Sequence, residues 1–303
     1  MKLLSDFDGV WTDPGHEARA QGDVLDETLR SWAPAGATNA WAEWLVTARA
    51  KVGREPRRYG WAPGGHRLSV FADEDPFAAH SALLHYLFVS AGEGRDATAS
   101  AILETIRARG FTDLDAFGAH THASGVARVA GERGPEILPS AAAAGRRMLE
   151  QGIEIVVVSN STAEKLVKWF AHAELPYTVH PERASGALRL RGGAKKFILD
   201  PERSEMLDVG EARIDVARPH YAEVLDAERP GAVVGDVVSL DLGLPLLWKR
   251  RRPEWRGVRL FWLLRPYTPS WLADQVRSAA RGEIEPIGDG LDGVESSLGR
   301  PRR

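Results

Sequence analysis

Asp6-Phe7-Asp8-Gly9-Val10-Trp11-Thr12 follows directly on the apolar pair Leu3-Leu4. A short strand here ends in two carboxylates, and the glycine behind them lets the backbone turn tightly. Residues two apart on an extended chain face the same way, so Asp6 and Asp8 point to one place. Ligands of open α/β sheets bind just beyond the carboxyl ends of the strands. Two carboxylates that close raise each other's pKa. A cation or a shared proton relieves the repulsion, and Mg²⁺ is the plain way to do it.

Two later segments repeat the pattern. Ile153-Glu154-Ile155-Val156-Val157-Val158 reads as a buried parallel strand. Ser161-x-x-Glu164 behind it has the form of a capping box, so a helix is expected to start at Ser161. Ser159 then lies between a strand end and the positive end of a helix, where backbone N–H groups take phosphate well. Ala232-Val233-Val234-Gly235-Asp236 is a third apolar strand tipped by an acid, and Asp241 follows in the next turn or helix.

Taken in this order, the three strand ends resemble the haloacid-dehalogenase-like (HAD) hydrolase superfamily. Its first motif, D-x-D-x-[VT], is matched by residues 6–10, its second by Ser159, and its fourth by Gly235-Asp236 with Asp241. The likeness covers residues 1–14 and roughly 136–275. The third motif, a Lys or Arg, has two readings. Arg218 stands before Pro219 where a helix should open, and Pro favours that first position. The rival is Lys195 or Lys196, in what reads as a hairpin whose Gly192-Gly193 turn joins 187–191 to 196–199.

The resemblance implies an α/β fold: a Rossmann-like three-layer core with a parallel sheet, and a mainly helical cap inserted after the first strand. It implies Mg²⁺-dependent hydrolysis of a phosphate monoester. Asp6 would attack phosphorus and form an aspartyl-phosphate. Asp8 would protonate the leaving oxygen and later deprotonate water. Ser159, with Arg218 or Lys196, would hold the phosphoryl oxygens. Mg²⁺ would bind Asp6, the backbone carbonyl of Asp8 and Asp236, with Asp241 orienting its shell. Asn160 and Trp11 are expected to touch substrate. An acid at Asp8 fits phosphatases and phosphomutases and speaks against dehalogenation, because halide leaves without a proton. A phosphomutase and an inert Mg²⁺-binding interaction module are the alternatives.

Composition sets outer bounds. The 303 residues are 44% hydrophobic and 27% charged, which suits a core domain plus one insertion. The net charge of −3 gives no field that gathers nucleic acid. The absence of cysteine excludes disulfides, thiolate catalysis and cysteine zinc sites. No apolar run approaches the ~18 residues of a membrane span, and Met1-Lys2-Leu3-Leu4 reads as a strand start, not a leader. The expectation is a cytoplasmic protein whose partner is a small phosphorylated metabolite, with no nucleic acid and no membrane. The oligomeric state is not written in these features.

Residues 15–135 greatly exceed the ~2–6 residues of a βα connection and read as the helical cap. Helices are expected at 38–52, 76–89 and 98–109, with short ones at 111–119 and within 122–131, and 53–65 as a loop. The core is expected over 1–14 and 136–280. It holds helices at 139–151, 166–173 and 269–280, strands at 177–180 and 258–264, and a small antiparallel extension at 182–217. Residues 281–303 read as a flexible tail. The basic run Lys249-Arg250-Arg251-Arg252 reads as a solvated loop. His80, His85, His120 and His122 lack metal-ligand spacing and read as structural. Trp41 and Trp44 lie at helical spacing and should bury.

Overall fold

Lys2–Ser5 forms the first strand, β1, buried after Lys2. The computed structural model describes residues 1–63, 67–94, 96–132 and 134–299. Residues 64 and 65 of the expected loop, and the Arg-ended stretch 300–303, lie outside them. After β1 come α1 (Gly15–Trp32), α2 (Thr38–Arg54), β2 (Gly60–Trp61), β3 (Val70–Phe71), α3 (Ala78–Gly92), α4 (Ala97–Ala108) and α5 (Leu114–Glu132). The chain continues through α6 (Pro139–Glu150), β4 (Glu154–Val158), α7 (Ala163–His172), β5 (Tyr177–Val179), β6 (Leu188–Arg191), β7 (Met206–Val209), β8 (Ala212–Asp215) and α8 (Pro219–Glu228). It ends with β9 (Ala232–Gly235), a π-helical turn (Val238–Leu242), α9 (Gly243–Arg251), β10 (Arg259–Leu263), α10 (Ser270–Ala279), β11 (Ile284–Ile287) and α11 (Gly290–Leu298). Two units result: Met1–Asp13 with the chain from Pro135 onward, and Pro14–Gly134.

In the first unit seven strands run in the order β11-β10-β9-β1-β4-β6-β5, all paired parallel. Leu3, Ile155, Val157, Leu190, Val234 and Phe261 face one way and pack on Met148 of α6, Phe170 of α7 and Val294 of α11. Their neighbours Leu4, Val156, Val158, Val233 and Trp262 are buried as well, facing the other way. Arg189 and Arg191 share that second face and pair with Glu228 at the end of α8, so α8 covers it. Strands buried on both faces need near-continuous apolar runs, which is what β4 and β9 carry. This is a Rossmann-like three-layer arrangement, with the helical unit inserted after β1.

Several local expectations are corrected. Residues 187–191 and 196–199 do not form a hairpin. Leu188–Arg191 joins the parallel sheet between β4 and β5, because Leu188 and Leu190 fit the core while the alternating arginines find Glu228. The loop after it needs glycine: a Cβ on Gly192 would lie 2.3 Å from the Ala163 nitrogen. Within 182–217 the antiparallel pair is β7 with β8. The tail 281–303 is no loose end over its described part. Ile284, Ile287, Leu291 and Val294 bury, and Arg147 of α6 pairs with Asp292 and Glu295. Composition hid a short apolar strand and an amphipathic helix there. The cap of α7 is Thr162, whose Oγ1 accepts from the Lys165 N–H at 3.2 Å, one residue later than the capping-box reading. Lys249, Arg250 and Arg251 close α9, where cations suit the helix C-terminus. Arg250 pairs with Glu283 and Arg252 with Asp226.

The second unit has its own core of Leu25, Leu29, Trp41, Leu45, Leu83, Ile102 and Phe117. Helix α1 was not foreseen, and the two short helices expected at 111–131 are one continuous α5. His80 is 4% exposed and within 3.0 Å of Thr121 Oγ1. Burial, then the charges of His122 and Arg49, lower its pKa to about 3. No helix among the described residues is long and apolar enough to cross a membrane.

Candidate active site

The sheet order sets the site. β1 lies between β4 and β9, with Ser5 in register with Val157 on one side and Val234 on the other. The chain departs in opposite directions from this switch point, and ligands of such sheets bind beyond the carboxyl ends of the strands there. The Asp6 N–H donates to the Val234 carbonyl at 2.9 Å, which sets Asp6 beside the β9 tip. Asp6, Asp236 and Asp241 each offer a carboxylate oxygen within 4.8 Å of the others, the one such group of acids or histidines among the described residues. Gly9, at φ +75°, makes the approach possible: a Cβ there would lie 2.2 Å from Asp236 Oδ2.

Lys196 enters this group, 2% exposed, with Nζ 2.5 Å from Asp6 Oδ1 and 2.6 Å from Asp241 Oδ1. Burial opposes its charge, but Asp241 and Asp6 more than offset that and hold its pKa above the ordinary lysine value. Burial, and next the charge of Asp241, push Asp6 well above the usual carboxylate range, with Lys196 pulling the other way. Three carboxylates against one ammonium leave excess negative charge in a nearly dry place. The donor set is entirely oxygen, which fits a hard divalent cation, and such an ion would reverse the shift of Asp6. Asp241 is fixed by the Val237 N–H at its Oδ2, 3.2 Å, and by the Tyr221 hydroxyl at its carbonyl, 2.9 Å.

Asp8 stands apart from that group, 26% exposed. The Ser161 hydroxyl donates to its Oδ2 at 3.4 Å, and Lys165 Nζ lies 3.8 Å from its Oδ1. Ser159 is fully buried at the end of β4, and its Oγ accepts from the Ser161 N–H at 3.0 Å.

Three expected roles change. Arg218 is buried beside the loop and donates to the Lys196 carbonyl at 2.7 Å and the Ser239 carbonyl at 3.1 Å, while Lys196 meets the carboxylates. Asn160 Oδ1 accepts from the Lys196 N–H at 2.7 Å, so Asn160 holds that same loop. Trp11, expected to touch substrate, is 0% exposed, packs edge-on against Phe170 and donates to Ser5 Oγ at 2.9 Å. Its apolar ring is worth more in the core than at the rim.

Two neighbours escaped the sequence reading. Lys165 sits in the first turn of α7, and Tyr267 follows β10 and donates to Asp236 Oδ2 at 2.7 Å. The rule that strand ends line the site, applied to β10, points to Tyr267.

No family model and no curated protein matches the chain. Among solved structures it is similar to YfnB from Bacillus subtilis, a HAD-hydrolase structure bound to magnesium, at 12% identity over 99% of this chain and 98% of that one, TM-score 0.38. It is also similar to 2-haloacid dehalogenase from Pseudomonas syringae pv. Tomato DC3000, at 16% identity over 98% and 97%, TM-score 0.39. The defluorinating L-2-haloacid dehalogenase Rha0230 follows at 13% over 98% and 94%, TM-score 0.35.

Proposed function

We propose that the protein is a Mg²⁺-dependent phosphatase that cleaves a phosphate monoester through an aspartyl-phosphate on Asp6. What supports this reading most is the meeting of Asp6, Asp236, Asp241 and Lys196 beyond β1, with a separate acid, Asp8, beside them. A hydrolase that releases halide has no use for that second acid.

Lys196 holds one oxygen of Asp6 and so fixes the carboxylate that attacks. In the first step an Asp6 oxygen bonds to phosphorus, the ester P–O bond breaks, and the leaving oxygen takes a proton from Asp8. In the second, water attacks phosphorus and gives its proton to Asp8, freeing phosphate and Asp6. Asp8 suits this exchange: it is partly exposed, and Ser161 and Lys165 orient it. Ser159 and the first turn of α7 offer donors for phosphoryl oxygens. Asp6, Asp236 and Asp241 would hold Mg²⁺, which when bound supplies positive charge for the phosphoryl group. Monoester hydrolysis is among the slowest uncatalysed reactions, with accelerations up to ~10²¹, and most of that comes from placed charge. The helical unit, inserted directly after the Asp8 loop, suits a substrate-selecting cap.

The test is turnover of an aryl phosphate and of a panel of phosphorylated metabolites by the full chain with Mg²⁺. Activity that a chelator removes and that Asp6→Asn lowers by orders of magnitude is the expected result. No turnover on any substrate, or unchanged activity in Asp6→Asn, would overturn the proposal.

A further inference from the structure

We infer that Tyr267 is a positioning residue that presets Asp236 for its cation, and that the turn at residues 265–268 ties the β1 loop to the β9 tip. The inference rests on reading Asp6, Asp236 and Asp241 as a divalent-cation site.

Asp236 is held from two sides by β10 and its exit loop. The Trp262 indole N–H donates to its carbonyl at 2.8 Å, and the Tyr267 hydroxyl donates to its Oδ2 at 2.7 Å. The first bond fixes the main chain, and the second fixes the carboxylate rotamer. A hydrogen bond to an ionised acceptor is strong enough to keep that rotamer when the cation is away. The turn that carries Tyr267 is closed on itself. The Thr268 N–H donates to the Arg265 carbonyl at 2.9 Å, and the Arg265 N–H donates to Thr268 Oγ1 at 2.8 Å. The same turn reaches the other arm of the site, where the Arg265 guanidinium donates to the Val10 carbonyl at 3.2 Å. Gly9 records how tightly these parts meet: a Cβ there would lie 2.6 Å from the Tyr267 hydroxyl as well as 2.2 Å from Asp236. A single turn thus holds both the β1 loop, at the Val10 carbonyl, and the β9 tip, at the Asp236 carboxylate. Partners that orient a metal-holding group typically change metal affinity by ~10–100-fold when removed.

The test is calorimetric titration of Mg²⁺ and of Mn²⁺ into the full chain and into Tyr267→Phe, with thermal unfolding of both in chelator. The phenylalanine ring keeps the packing and removes only the hydroxyl. The expected result is about tenfold or greater weakening of binding at an unchanged unfolding temperature. In turnover, the Mg²⁺ concentration for half activity should rise by the same factor while kcat at saturating Mg²⁺ holds. Tyr267→Phe binding within roughly twofold of a wild type that binds, or a lowered unfolding temperature with unchanged affinity, overturns the inference alone. A wild type that takes up neither ion removes the cation site and this inference together.

Discussion

Lys196 carries a charge into a nearly dry space and meets Asp6 and Asp241 there. Removing one partner of a buried ion pair leaves the other uncompensated. Lys196→Ala is therefore expected to lower kcat by about 10²-fold or more. Arg218 donates to the Lys196 and Ser239 carbonyls, so Arg218→Ala should lose about 1.5–3 kcal/mol of stability and less than roughly tenfold in kcat. Steady-state kinetics and urea unfolding of the two variants decide it. A larger kinetic loss in Arg218→Ala would return the cationic role to that residue.

At the scale of elements, the site depends on how α7 and the β1 loop share the core. Trp11 lies against Phe170 of α7 and anchors the loop that presents Asp8. Trp11→Ala should cost about 3–5 kcal/mol, and Trp11→Phe less. If Trp11→Phe leaves stability intact but raises KM many-fold, Trp11 touches substrate after all. The C-terminal pair β11 and α11 is equally structural. β11 extends the sheet beside β10, and α11 seats Leu291 and Val294 in the same core as Met148 of α6. Leu291→Ala should lower stability by about 2–5 kcal/mol, read from the urea midpoint. A midpoint equal to wild type would restore the loose tail.

For the whole molecule, the two units carry separate cores. His80 is neutral in the folded helical unit because burial lowers its pKa to about 3 from an ordinary 6.5. A depressed folded-state pKa leaves its stability contribution intact above 6.5 and erodes it as pH falls toward 3. Between about pH 7.5 and 5 the helical unit should lose about 2 kcal/mol. His80→Gln should flatten that slope, as measured by thermal unfolding at pH 7.5 and 5. An unchanged slope would mean that the acid sensitivity lies elsewhere.

The sequence by itself determined the parallel core and the acids at its strand tips. A short apolar run that ends in an acid is a local pattern, and both the strand and the carboxylate beyond it follow from neighbouring residues. Asp6 and Asp236 were legible for that reason, Asp241 through the family resemblance, and the long insertion through its length. Tertiary structure alone decided what fills the space between the tips. Lys196 reaches Asp6 because β6 joins the sheet in parallel and its exit loop crosses toward β1, a path that no local pattern encodes. Arg218 and Asn160 turned out to hold that loop, Trp11 went to the core, and Tyr267 entered from β10. Each of these outcomes depends on which strands become neighbours, and strand neighbours are set by burial across the whole sheet.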